Sequence, residues 1–130
     1  MNKFEHDTKI KIGILTFHRP INYGAFLQSY SLCENLKKNI NNSSVEIIDY
    51  IAPKEKKNIY LNILRTIKYY GIIDGIKEVF KIRKFHDSIK FLNLSPKYFC
   101  SKKIKNKFKY INKRYDLLII GSDAVYNWNQ

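Results

Sequence analysis

Two short polar stretches carry the residue types that can do chemistry. The first is His18-Arg19-Pro20-Ile21-Asn22-Tyr23-Gly24, set between an apolar run and a helical pattern. His18 and Asn22 can bond sugar hydroxyls, Tyr23 can stack on a ring, and Gln28 lies on the helix that follows. A helix amino terminus adds free N–H groups and a partial positive charge, which suit a phosphate or carboxylate. The plainer roles are that Asn22 caps the helix and Tyr23 packs. The second stretch is Gly121-Ser122-Asp123, with Asn127 beyond it. Asp123 can accept a proton from an attacking hydroxyl as a general base, or simply cap a helix.

The elements around these stretches explain why the two belong together. Lys9-Ile10-Lys11-Ile12 alternates and Gly13 to Phe17 is almost wholly apolar, so a strand runs up to His18. After Gly24 the spacing turns helical: Phe26, Tyr30, Cys33 and Leu36 to Ile40 form one stripe, opposite Gln28, Ser31, Asn35 and Lys38. A second strand is expected over Ser44 to Tyr50, closed off by Pro53. Asp116-Leu117-Leu118-Ile119-Ile120 reads as a third, buried parallel strand. Residues 9–50 are thus a βαβ unit with a right-handed crossover. In an α/β, Rossmann-like parallel sheet both polar loops fall at the carboxyl ends of the strands, facing one crevice.

Between the second and third strands the sequence predicts a helical segment, 54–114. Tyr60, Ile63, Leu64 and Ile67 are helically spaced up to Gly71. Ile72, Ile76, Val79, Phe80 and then Phe85 and Ile89 suggest a second helix or a pair of helices, and Ile104, Phe108 and Ile111 suggest a last one. This segment also carries the charge. It has 18 basic and 4 acidic residues against 6 and 7 in the rest, within a chain of net charge +13. Such a surface attracts an anionic leaflet, an acidic polymer or nucleic acid, or is simply solvated.

Composition removes several classes. With 130 residues, 45% hydrophobic and 15% aromatic, the chain holds enough apolar material for one folded domain. No apolar run approaches the roughly 18 residues of a membrane span. The acidic residues Glu5 and Asp7 do not fit a secretory signal, so a cytoplasmic location, membrane-peripheral if the basic segment meets lipid, is expected. Cys33 and Cys100 have no ligand or disulfide spacing. Gly-x-Gly-x-x-Gly, Walker and Gly-x-Ser-x-Gly motifs are missing, so Asp49 at the end of the second strand means little as a ribose-binding acid. His6, His18 and His86 lie on different elements, and no metal site is expected.

Three blocks in order resemble the polysaccharide pyruvyl transferase family. They are Lys11-Ile12-Gly13-Ile14-Leu15-Thr16-Phe17-His18 with Asn22-Tyr23-Gly24-Ala25 and Leu27-Gln28-Ser29-Tyr30; then Val45-Glu46-Ile47-Ile48-Asp49-Tyr50; then Asp116 to Asp123 with Val125-Tyr126-Asn127. Ala124 and Tyr126 stand where the family usually has glutamine and tryptophan. The resemblance implies transfer of pyruvyl from phosphoenolpyruvate, as co-substrate, to a hydroxyl pair of a surface polysaccharide or lipid-linked saccharide, giving a ketal. It also implies a GT-B-like architecture of two Rossmann-like domains, with donor-holding basic residues in a carboxyl-terminal half. His18, Asn22, Tyr23, Gly24, Ser122 and Asp123 would line the acceptor wall.

The expectation is therefore a truncated amino-terminal domain over 1–130, with residues 116–130 as third strand and loop. Three apolar strands alone leave a greasy sheet, so the chain is expected to be one piece of a larger protein and inactive by itself. The rival readings are a non-catalytic sugar-binding module and a basic nucleic-acid-binding domain, the latter without any recognised signature.

Overall fold

The computed structural model describes residues 9–100 and 104–121. Strand β1 (Ile10–Leu15), helix α1 (Tyr23–Asn39) and strand β2 (Ser43–Ile47) come first. Helices α2 (Pro53–Tyr70), α3 (Ile72–Ile89) and α4 (Ile104–Arg114) follow, and strand β3 (Leu117–Ile120) is last. The strands form a three-stranded parallel sheet in the order β2-β1-β3. This is the α/β character expected, with β1 in the middle because its apolar run is the most completely buried.

The side-chain period of two sorts the sheet into faces. Ile12, Ile14, Val45 and Ile47 point to one side, where Cys33 of α1, Phe85 and Ile89 of α3 and Leu92 close over them. On the other side Ile48, Phe99, Ile111 of α4 and Tyr115 make a second cluster. Helices therefore cover both faces. On α1 the inward face runs through Phe26, Ser29, Leu32, Cys33 and Leu36, while Tyr30 is exposed. The expected stripe was one residue off at that position, because Ser29 turns inward to make hydrogen bonds.

Gly13 sets how α4 joins the sheet. A Cβ there would lie 2.8 Å from the Tyr115 ring, so the ring lies directly on the bare backbone of β1. Across the strand, Glu46 pairs in register with Gly13. The Tyr115 hydroxyl donates to Glu46 Oε1 at 2.7 Å. Arg114 grips both oxygens of the same carboxylate, at 2.7 and 3.2 Å. Burial, then the bond to Glu46, pushes the Tyr115 phenol up to about 12. Asp116 completes the junction, since its carboxylate accepts from Lys11 N at 2.8 Å and its own N–H donates to Lys11 O at 2.9 Å.

Three details depart from the sequence reading. Pro53 ends nothing; it opens α2 at a first-turn position, where its missing N–H costs no bond. Residues 93–99, which fall within the segment expected to be helical, instead lie along β2. Ile47 N donates to Asn93 O, Ser95 N to Ile47 O and Phe99 N to Asp49 O, all within 2.7–2.8 Å. Lastly, β3 is parallel as expected but half-exposed, with Leu117 and Ile120 open to solvent. It is bonded to β1 on one side, and among the described residues no strand pairs with its other edge.

Candidate functional site

The carboxyl ends of the strands meet at one rim. Gly121 N donates to Leu15 O at 2.9 Å, which carries the β1–β3 pairing one residue past β3. There Thr16 Oγ1 donates to Gly121 O at 2.5 Å. Thr16 Oγ1 also lies 3.2 Å from Ser29 Oγ, and Ser29 donates to Ala25 O at 2.6 Å. One hydroxyl pair thus links the end of β1, the end of β3 and the first turns of α1. Because the chain leaves β1 for β2 on one side and reaches β3 on the other, this is the place where an open parallel sheet forms a crevice.

Beside it is a buried charged cluster centred on Asp49, just after β2. Arg19 holds the carboxylate with two bonds, Nε to Oδ1 at 2.7 Å and Nη2 to Oδ2. His18 is fully buried, with Nε2 3.4 Å from Asp49 Oδ1 and Nδ1 3.1 Å from Thr16 O. Both neighbours of the ring are acceptors, so it donates to both only when each nitrogen carries a proton. Asp49 N donates to Ser95 Oγ at 3.0 Å, and Ser95 donates to Lys97 O at 3.1 Å. The Arg19 guanidinium also sits 5.1 Å from the Tyr98 ring centre, a cation–π distance. Among the described residues two of its five N–H donors serve Asp49, and the others have no partner there and can meet an anion or a hydroxyl.

The electrostatics follow from these partners. Burial works against a charged Asp49, but the hydrogen bonds from His18 and Arg19, with the Arg19 charge, hold its carboxyl below the usual carboxylate range. Burial likewise opposes ionisation of Glu46, and the bonds from Arg114 and Tyr115 outweigh it. Burial, then the Arg19 charge, pushes the His86 imidazole below its ordinary value. Carboxylates held low in the folded state bind fewer protons than in the unfolded chain. Their stabilisation is complete above the unfolded value, near ~4, and disappears as pH falls through the folded one. The melting temperature is therefore expected to be level from neutral pH to about 5 and to drop below about 4. Asp49→Asn should flatten that drop. A melting temperature that rose on acidification would contradict the assignment.

The expected site residues divide in three ways. Asn22 is the cap of α1, accepting from Ala25 N at 3.1 Å, and Tyr23 meets Phe85 edge to face at 5.3 Å. Both plainer roles are thus filled, yet both residues remain exposed, as do Gly24 and Gln28. His18 lies inside the domain wall, behind Arg19, and Gly121 is on the rim. Ser122, Asp123 and Asn127 lie outside the described residues. The sequence reading passed over Arg19, Thr16, Ser29, Ser95 and Tyr98 and discounted Asp49. The available signal was a lone acid and a lone arginine, each a few residues past the end of an apolar strand.

Fold and rim together define a class: a parallel α/β domain with a polar, arginine-bearing edge at the carboxyl ends of β1 and β2. Beyond the class the comparisons add no relative. No protein-family model matches the chain, and neither curated proteins nor solved structures include a significant match to it. Among the described residues no group of three or more His, Cys, Asp or Glu side chains is placed to hold a metal ion, and no helix is long and apolar enough to cross a membrane.

Proposed function

We propose that this domain is the amino-terminal, acceptor-side wall of a polysaccharide pyruvyl transferase-like enzyme of GT-B-like architecture, acting in the cytoplasm on a surface-polysaccharide precursor. The observation that carries the reading is the shared rim: the Thr16–Gly121 hydrogen bond fixes the β1 and β3 ends side by side. The residue after β1 and the one after β3, which lead into the two polar stretches, thereby meet at one rim. In this reading exposed Asn22, Tyr23 and Gln28 meet the saccharide, and Arg19 offers its remaining donors. His18 positions Arg19 through Asp49 instead of touching substrate. Asp123 is the general base, and the carboxyl-terminal half holds phosphoenolpyruvate.

The reaction balances without a redox partner. One sugar hydroxyl adds to C2 of phosphoenolpyruvate as the methylene takes a proton; the second hydroxyl oxygen then displaces phosphate from C2, breaking its C–O bond, and inorganic phosphate leaves with the second proton. The test is phosphate release from phosphoenolpyruvate with a saccharide acceptor, using the protein that carries both halves. Release that requires both substrates is expected, and no release with any tested diol-bearing saccharide would overturn the proposal. The second reading, a sugar-binding module without catalysis, is favoured by the internal pairing of Asp49, which leaves that carboxylate no free role. Saturable saccharide binding with no phosphate release would select it.

A further inference from the structure

The α2–α3 hairpin is built unlike the rest of the domain. Helix α2 has no buried residue, and α3 buries Gly75 against α2 and large side chains, Phe85 and Ile89, only near its carboxyl end. The tip, Tyr69-Tyr70-Gly71-Ile72-Ile73, projects four large side chains that are 71–75% exposed. Gly71 makes the turn at φ 94°, which an L side chain rarely adopts. One turn on, a Cβ at Gly75 would lie 2.2 Å from Ile67 Cγ1, so the helices touch through a bare backbone at this end. That close contact fixes the turn and directs the tip residues outward. More apolar residues continue away from it: Leu64 and Tyr60 on α2, and Ile76, Val79 and Phe80 on α3, are all exposed.

Independently of any chemistry at the rim, we propose that this tip is a docking element for an anionic lipid surface. Charge complementarity decides the occupant. Residues 53–89 hold 9 basic and 4 acidic residues, and residues 65–73 hold Arg65 and Lys68 with no acid. On α3, Asp74 and Glu78 are already neutralised by Lys77 and Lys81 at 2.7 and 3.7 Å. Tyrosines between an apolar end and a basic flank match the headgroup level of a bilayer. The isoleucines reach the acyl boundary, and the long basic side chains stay with the phosphates. A nucleic acid would reward the lysines but leave the isoleucines in water.

The test is co-sedimentation with vesicles of phosphatidylcholine alone and of phosphatidylcholine mixed with phosphatidylglycerol. Binding to the mixed vesicles at low salt, weak binding to the neutral ones and release by salt are expected. The Ile72→Asp, Ile73→Asp double variant should lower the partition coefficient at least about tenfold, because each buried isoleucine is worth roughly that factor or more. Lys68→Glu with Arg65→Glu, which leaves the apolar tip intact, should also weaken binding, and only at low salt. Circular dichroism melts of both variants are expected to match the parent. Absence of binding to anionic vesicles, or binding that survives both variants, would overturn the proposal. So would a concentration-dependent dimer dissolved by the isoleucine variant, which would give the tip to a second copy of the chain.

Discussion

Asp49→Ala is expected to destabilise the protein by about 3–5 kcal/mol, the usual effect of removing one partner from a buried ion pair. The side chain is 9% exposed and neutralises Arg19, and it is the acceptor beside His18 Nε2. Without it the fully buried imidazole keeps, among the described residues, only Thr16 O, and Arg19, whose side chain is 18% exposed, loses both its carboxylate bonds. The cost is that of two stranded polar groups, more than the net worth of the bonds. Asp49→Asn preserves the volume and an acceptor oxygen, so it should cost less, about 1–3 kcal/mol. Urea unfolding checks this directly: the midpoint should fall while the slope stays constant. A loss under about 1 kcal/mol for the alanine variant would mean that the cluster is not the keystone of the rim.

Phe85→Ala should be comparably severe, at about 3–5 kcal/mol, from lost burial and the cavity left behind. Phe85 is fully buried, stands edge-on to Tyr23 at 5.3 Å and Phe26 at 6.3 Å, and packs in the cluster over Ile12 and Ile14. It is the main point at which α3, and the hairpin it carries, attaches to the sheet. Limited proteolysis should accordingly cut the Phe85→Ala variant within α2 and α3 before it cuts β1 or β2. Phe80→Ala is the control. That ring is 56% exposed, and its removal should change stability by no more than about 0.5 kcal/mol. Equal losses at the two positions would contradict the packing described here.

The contrast between Phe80 and Phe85 marks where sequence reasoning stops. They stand five residues apart, about 140° from each other around α3, on two different apolar faces, and spacing does not say which of the two meets the sheet. Periodicity reports which residues share a face of a helix and is silent about what that face meets. In the folded chain only the last turns of α3 reach the sheet, so Phe85 is buried and Phe80 is not. The same limit applies at the rim. That His18 and Gly121 follow strands and that Asn22 caps a helix was legible, because turn chemistry and strand ends are local signals. The Asp49–Arg19–His18 cluster was not, since an ion pair between residues 30 positions apart leaves no mark in either local stretch.

By itself the sequence determined the strands at β1, β2 and β3, the helices between them and the parallel α/β class. These follow from runs and periods that each segment carries on its own. The tertiary structure decided which polar groups are partners and which apolar stripes stay in water. It also made residues 93–99 a cover for the β2 edge. The reason is physical. Hydrophobic period is written residue by residue, whereas a buried charge is tolerated only beside a partner, and register alone chooses that partner: β1 against β2 brings Asp49 to His18 and Arg19.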